Sequence, residues 1–224
     1  MLPGYFTGEF LERLIQAFGA AIENRTSPYD PDALVNLDFI PDDSAFMESA
    51  MDAFLLEIMA NYYQKRFAIA RSQAGRLMPT EAYRDNSYQW HHDCRGRQLH
   101  LMILLNDIEP TGQRMSYLKG THERYYTHFR GVADGSRFEN DLIEDSPTPD
   151  RIEEVCGKAG TVAIFDSNGL HTGNRNSNGS RDSLLYCYVS WRHWQPIRYR
   201  REDVERLSNP FRQVVTYNPY HNFI

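Results

Sequence analysis

The sequence has few cysteines and no long apolar run. Cys94, Cys156 and Cys187 are the only cysteines among 224 residues, and this odd, sparse set excludes a disulfide framework. No stretch approaches the roughly 20 apolar residues that a membrane-spanning helix needs. The first residues also lack a basic region followed by an apolar run, so we expect no secretory signal. These absences favour a cytoplasmic protein that has no membrane partner.

Basic residues are fewer than acidic ones. The chain has 24 Lys and Arg against 30 Asp and Glu, a formal net charge of −6, whereas a general nucleic-acid-binding protein is usually basic. Hydrophobic residues make up 41% and charged residues 24%, close to the values of globular proteins. We therefore expect one folded domain over residues 1–224, with no nucleic-acid partner. The oligomeric state cannot be predicted from these features.

Helical periodicity is confined to the first third of the chain. Apolar residues recur at helical spacing from Phe10 onward, with Thr7 available as a cap. A second set, from Phe46 to Tyr62, predicts one amphipathic helix of about five turns. The intervening residues 24–43 are rich in Pro, Asp and Asn and predict a loop. Residues 1–66 are thus predicted to form a helical N-terminal support.

After residue 66 the pattern changes to short runs rich in β-branched and aromatic residues. These predicted strands are residues 67–70, 88–92, 99–105, 115–118, 161–165 and 184–191. No helical pattern alternates with them and no glycine-rich dinucleotide motif follows a strand, which excludes a doubly wound sheet. We predict a mainly β fold in which N-terminal helices pack against an antiparallel, double-sheet β core of the jelly-roll type, residues 67–191.

Two segments stand apart from this core. Residues 129–158 are rich in Asp and Glu and hold two prolines, so we interpret them as a solvated surface insertion. A mobile lid over a site is the alternative. The C-terminal extension, residues 192–224, begins with several arginines among aromatic residues. An exposed charged surface is the simplest interpretation, and capture of an acidic substrate group is the alternative.

Two separate motifs supply candidate metal ligands. Side chains at positions i and i+2 of a strand share a face, so His91 and Asp93 are expected to project together. His171 is the candidate for a third ligand, with His122 and His128 as alternatives. Two histidines and one carboxylate on one face of a metal are the donor set of non-haem Fe(II) oxygenases. This set leaves positions open for a bidentate 2-oxo acid and for O2.

A second group of residues predicts a binding site for a dicarboxylic cosubstrate. Arg181 follows His171 by ten residues and opens the next apolar strand with Ser183 two residues on. The planar guanidinium suits the far carboxylate of 2-oxoglutarate, with the serine hydroxyl beside it. Gln98 and His100 share one face of a strand and are candidates for binding the near end of the same molecule. Candidate substrate contacts flank the metal motif: Arg84, Asn86, Tyr88, Arg95 and Arg97.

These segments resemble the phytanoyl-CoA dioxygenase-like (PhyH) family of Fe(II)/2-oxoglutarate oxygenases. The matching pieces are residues 90–93, 115–122 and 160–183, within a resemblance that spans about residues 67–191. Lys119 stands where the family usually has proline.

The resemblance implies a double-stranded β-helix core, which is a jelly-roll, cupin-like fold with the metal at its open end. It also implies that His91, Asp93 and His171 are the iron ligands and that Arg181 anchors 2-oxoglutarate. Because residue 93 is Asp rather than Gly or Ala, the chain resembles an oxygenase and not one of the related halogenases.

The sequence therefore predicts a non-haem Fe(II)/2-oxoglutarate-dependent dioxygenase that uses O2 and releases succinate and CO2. The expected reaction is oxidation of an unactivated C–H bond, by hydroxylation or by desaturation or cyclisation. The arginines near the motif favour a small polar substrate, such as an amino acid or a natural-product intermediate. Three alternatives remain open: a protein or nucleic-acid hydroxylase with the same centre, a non-catalytic jelly-roll binding protein, and a cupin-like metal enzyme without a cosubstrate.

Overall fold

The computed structural model describes residues 1–23, 34–38, 44–79, 90–93, 97–123, 137–138, 149–173, 179–190, 198–199 and 222–223. The helices are α1 (Gly8–Glu23), α2 (Ser44–Ala50) and α3 (Ala53–Tyr63). The strands are β1 (Leu34–Asp38), β2 (Ala68–Leu77), β3 (Trp90–His91), β4 (Gln98–Leu104), β5 (Met115–Leu118), β6 (Arg137–Phe138), β7 (Ile152–Val155), β8 (Val162–Asp166), β9 (His171–Gly173), β10 (Arg181–Val189), β11 (Arg198–Tyr199) and β12 (Asn222–Phe223). None of the described helices is long and apolar enough to span a bilayer.

Two five-stranded sheets form the body of the protein. Their strand orders are β1-β2-β10-β4-β8 and β6-β3-β9-β5-β7, and the strand pairs within them are antiparallel. A separate parallel pair joins β11 and β12. The predicted mainly β, double-sheet architecture with N-terminal helices is confirmed.

Strand β10 separates the helical core from the space between the sheets. One face packs against the helices through three fully buried side chains, Leu184, Tyr186 and Tyr188. Because side chains alternate along a strand, the other face carries Arg181, Ser183, Leu185 and Cys187. Leu185 packs in an apolar cluster with Met115 of the second sheet. The second face of β10 therefore lines the interior of the barrel.

The predicted five-turn helix over residues 46–62 is wrong, because the chain breaks between α2 and α3. Asp52 adopts a non-helical conformation (φ −56°, ψ 127°) and its side chain accepts a hydrogen bond from Leu55 N at 3.0 Å. The Tyr5 hydroxyl donates to the same carboxylate oxygen at 2.8 Å. An Asp that caps a new helix stabilises it by about 1 kcal/mol, so the cap starts a second helix where the apolar pattern continues.

Two predicted boundaries also need correction. Strand β7 lies within the predicted insertion, residues 129–158, and pairs with β5 from Met115↔Val155 to Leu118↔Ile152. The end of that segment is therefore part of the barrel wall. Strand β1 lies within the predicted loop, residues 24–43, and pairs with β2. Apart from residues 137–138 and 149–158, the segment of the lid alternative lies outside the described residues. The basic cluster of the extension 192–224 does so too, apart from β11.

Candidate metal centre

Three predicted ligands come together at one end of the barrel. His91 ends β3 and lies directly opposite His171, the first residue of β9. Asp93 follows β3, and its main-chain N–H donates to Ser167 O at 2.9 Å. One ligand atom from each of the three side chains lies within 4.8 Å of the other two. Residues that are 80 positions apart along the chain are thus held by two neighbouring strands and one loop contact.

The spacing of these atoms suits a shared metal ion better than direct hydrogen bonds. Asp93 Oδ1 lies 3.8 Å from His91 Nε2, and Asp93 Oδ2 lies 3.6 Å from His171 Nε2; both distances exceed hydrogen-bonding range. His171 Nδ1 is 2.9 Å from Gly169 O, so this ring nitrogen donates to the carbonyl and leaves Nε2 facing the other two ligands. Metal-bound histidines are commonly oriented in this way. The residues therefore fit a divalent iron of the kind that two histidines and one carboxylate bind.

The electrostatic surroundings keep Asp93 ionised. Burial raises the pKa of Asp93. The opposing effect of its neighbours is larger, so the net pKa lies below the ordinary value; these neighbours are His171, His100, His91 and Arg71. Burial lowers the pKa of His100 to about 4, despite the opposing effect of Asp93. At neutral pH Asp93 is thus a carboxylate, which is the form in which it binds a metal, and the His100 ring beside it is neutral.

Gln98 and His100 form a short hydrogen-bonded chain beside the three ligands. Gln98 Nε2 lies 3.0 Å from Ser167 Oγ and 3.1 Å from His100 Nε2. Since an amide nitrogen only donates, His100 Nε2 accepts, and the ring proton sits on Nδ1, 3.7 Å from Asp93 Oδ2. The structure therefore puts both residues next to the ligand set. Their predicted contact with the near end of 2-oxoglutarate stays a prediction.

The turn from residue 166 to residue 171 is built by contacts that sequence reasoning missed. The Asp166 carboxylate accepts hydrogen bonds from the Tyr62 hydroxyl of α3 and, at 2.9 Å, from Asn168 N. The Tyr117 hydroxyl donates to Asp166 O at 2.9 Å. Gly169 is required here, because a Cβ at this position would lie 2.0 Å from the Tyr117 hydroxyl oxygen. The only signal in the sequence was a run of turn-forming residues between two strands.

An aromatic side chain packs against the site on the side of the first sheet. The Phe165 ring lies 5.3 Å from the His100 ring, 5.5 Å from the His171 ring and 5.8 Å from the Tyr117 ring, centroid to centroid. The His91 and His171 rings are 4.3 Å apart. Phe165 thus puts an apolar ring against one side of the site, where charges interact more strongly than in water.

Arg181 and Ser183 lie on the interior face of β10. Cys187 shares that face and pairs in register with His100 of β4. Since His100 lies beside the ligand Asp93, the predicted anchor and the metal ligands face the interior of the same barrel. Arg181 is half-buried, and its Nη1 donates to Gln113 O at 3.1 Å. Ser183 is buried. Their binding of 2-oxoglutarate stays a prediction.

Other predicted residues take different places. His122, an alternative third ligand, is half-buried, and its ring lies beside Glu123. It is not among the three clustered ligands. Arg97 lies over the Tyr62 ring at 5.2 Å. Several predicted residues lie outside the described part of the chain: Arg84, Asn86, Tyr88, Arg95 and His128.

Arg71 is a cation at the site that sequence reasoning missed. It is exposed on β2 and pairs in register with Cys187, on the interior face of the barrel. Its charge contributes to lowering the pKa of Asp93. No spacing in the sequence relates it to the metal motif, because only the pairing of β2 with β10 brings it there.

Comparisons with known proteins agree with this geometry. The family model of phytanoyl-CoA dioxygenase (PhyH) matches residues 12–183. The ectoine dioxygenase of Stutzerimonas stutzeri (strain A1501) is 28% identical over 124 residues, which cover 45% of this chain and 41% of that protein. The match therefore spans less than half the length of the curated relative.

Two solved structures show the fold. HygX from Streptomyces hygroscopicus with nickel and 2-oxoglutarate bound is similar with a TM-score of 0.63 and 16% identity, over 88% of this chain and 84% of that chain. EctD from S. alaskensis with 2-oxoglutarate and 5-hydroxyectoine also has a TM-score of 0.63, with 22% identity, over 82% of this chain and 68% of that chain. The predicted double-stranded β-helix core is confirmed.

Proposed function

Because this chain belongs to the phytanoyl-CoA dioxygenase family, we propose that it is an Fe(II)/2-oxoglutarate-dependent oxygenase of a small polar metabolite. The observation that carries this proposal is the convergence of His91, Asp93 and His171 within 4.8 Å. Residues 1–224 act as one oxygenase domain, in which residues 1–66 support the β core.

Each residue of the site has a distinct task. His91, Asp93 and His171 hold the metal through two Nε2 atoms and one carboxylate. Bound Fe(II) couples two reactions: consumption of 2-oxoglutarate and O2, which releases succinate and CO2, and oxidation of a substrate C–H bond. Arg181 binds the far carboxylate of 2-oxoglutarate, with the Ser183 hydroxyl beside it.

The surrounding residues orient the ligands and exclude water. Gln98 and His100 lie beside Asp93 on the side of β4, and they are the candidates for contact with the near end of 2-oxoglutarate. Phe165 covers the imidazoles of His100 and His171 and keeps that side of the site dry.

The charge at the barrel opening supports a substrate that carries an anionic group. Arg71 is exposed on the interior face of β2 and lies close enough to influence Asp93. A guanidinium in this position binds a carboxylate or phosphate through paired N–H donors and directs the rest of the molecule towards the metal. Small polar ligands also occur among the structural neighbours, since HygX was crystallised with hygromycin B and EctD with 5-hydroxyectoine. An amino acid or a carboxylated natural-product intermediate is therefore the proposed substrate class.

The test is succinate formation with Fe(II), 2-oxoglutarate and a panel of small amino acids and carboxylates, with peptides and oligonucleotides alongside. We expect succinate release to be stimulated by a member of the small-molecule set and to be absent in Asp93→Ala. Arg71→Gln should raise KM for that substrate and leave kcat nearly unchanged.

Three results would contradict the proposal. Stimulation by peptides or oligonucleotides alone would identify a macromolecular hydroxylase. Substrate oxidation that proceeds without 2-oxoglutarate would identify a cupin-like enzyme. A melting temperature that does not respond to Fe(II) and 2-oxoglutarate added together would identify a non-catalytic protein.

A further inference from the structure

The loop between β4 and β5, residues 105–114, docks against the start of β10. Leu105 N donates to Asp182 O at 2.9 Å. Asn106 Nδ2 donates to Ser180 O at 2.8 Å, and Asp182 N donates to Asn106 Oδ1 at 2.9 Å. These bonds bracket Arg181 on both sides along the chain. The loop therefore fixes the backbone from which the predicted 2-oxoglutarate anchor projects.

Gln113 lies in this loop and has an unusual environment. The residue is 1% exposed, and neither Nε2 nor Oε1 of its side chain has a hydrogen-bond partner among the described residues. Its main-chain carbonyl accepts a hydrogen bond from Arg181 Nη1 at 3.1 Å. Ile108 and Met115, which flank it in the chain, belong to the apolar cluster between the two sheets. Buried amides are nearly always paired, so this one marks a place where a partner is needed.

We propose that the Gln113 amide is a second donor for the distal carboxylate of 2-oxoglutarate, beside Arg181; this inference rests on the proposed function. A buried carboxylate needs several donors, since its two oxygens offer about four lone-pair sites. Part of the Arg181 donor set is already used by the Gln113 carbonyl. Gln113 thus has two tasks: its carbonyl positions the guanidinium, and its amide nitrogen donates to the cosubstrate.

The direct test compares two ligands that differ only at the distal end. We would measure binding of 2-oxoglutarate and of 2-oxobutyrate, which lacks the distal carboxylate, to the Mn(II)-loaded protein by anaerobic calorimetry. Gln113→Leu should weaken 2-oxoglutarate binding by about tenfold or more, because a hydrogen bond to a charged group is lost. Its affinity for 2-oxobutyrate should stay unchanged. The melting temperature of the ligand-free variant should equal or exceed that of the wild type, since an unpaired buried amide is removed.

A control and a second variant keep the test decisive. Met115→Leu changes an apolar neighbour by a swap of similar volume and should leave both affinities unchanged. Gln113→Glu replaces the donor with an acceptor that repels the ligand, so it should again weaken only 2-oxoglutarate binding.

Equal losses of affinity for both ligands, or no loss for either, would overturn the assignment of Gln113. The proposed oxygenase function would be unaffected. A wild-type protein that binds neither ligand would overturn the proposed function itself.

Discussion

Replacing Gly169 with alanine should weaken metal binding although no metal-ligating residue is changed. A Cβ at this position would lie 2.0 Å from the Tyr117 hydroxyl oxygen and 2.5 Å from Cζ, whereas real Cβ contacts essentially never fall below 3.0 Å. Tyr117 must therefore move by at least about 1 Å, and its 2.9 Å hydrogen bond to Asp166 O is lost or stretched. Tyr117 lies directly opposite His171 in the sheet. The Gly169 carbonyl that bonds His171 Nδ1 sits in the same displaced turn.

The expected cost has a structural part and a functional part. Overpacking of this kind costs about 1–3 kcal/mol of unfolding free energy. Loss of the partner that orients a metal-bound histidine typically lowers metal affinity by about 10- to 100-fold. Urea denaturation measures the first quantity, and calorimetric titration with Mn(II) or Fe(II) under anaerobic conditions measures the second.

Gly19→Ala is the matched control. A Cβ at Gly19 in α1 meets nothing within 4 Å, so alanine should stabilise the helix by up to about 1 kcal/mol and leave metal affinity unchanged. A Gly169→Ala variant that binds metal as tightly as the wild type would refute this role of the turn, and so would equal losses of metal affinity in both variants.

Three further variants test separate parts of the structure. Asp93→Ala removes the carboxylate ligand and should abolish stoichiometric metal binding and turnover; calorimetry that still shows tight binding would refute its role. Arg181→Lys replaces a planar fork with a point charge and should weaken 2-oxoglutarate binding by about tenfold or more with metal affinity kept; an unchanged dissociation constant would remove the anchor. Asp52→Ala removes the cap of α3 and the acceptor of the Tyr5 hydroxyl, so unfolding free energy should fall by about 1 kcal/mol, whereas unchanged urea denaturation would contradict the capping role.

The predictions that held rest on local periodicity and on resemblance. The predicted proximity of His91 and Asp93 is found, although Asp93 follows β3 rather than lying in it, and β5 was predicted at its observed bounds, Met115–Leu118. The helix prediction failed at Asp52, because this side chain caps a new helix although the apolar pattern continues on both sides of it.

The supporting residues could not have been predicted in this way. The Tyr62 hydroxyl bonds an Asp166 that is 104 residues away, and Arg181 contacts a Gln113 carbonyl 68 residues earlier. Such pairs are created by the order of strands in the sheets and leave no mark in local sequence. For the same reason Arg71 became a candidate only after the pairing of β2 with β10 was known.

If His91, Asp93 and His171 hold one ferrous ion that also binds 2-oxoglutarate, the complex should absorb visible light. We would titrate the Fe(II)-loaded protein with 2-oxoglutarate under anaerobic conditions and follow visible absorption. We expect a charge-transfer band that saturates at a single equivalent and is absent in His171→Ala. A wild-type protein that develops no band, or a His171→Ala variant that develops the same one, would contradict it.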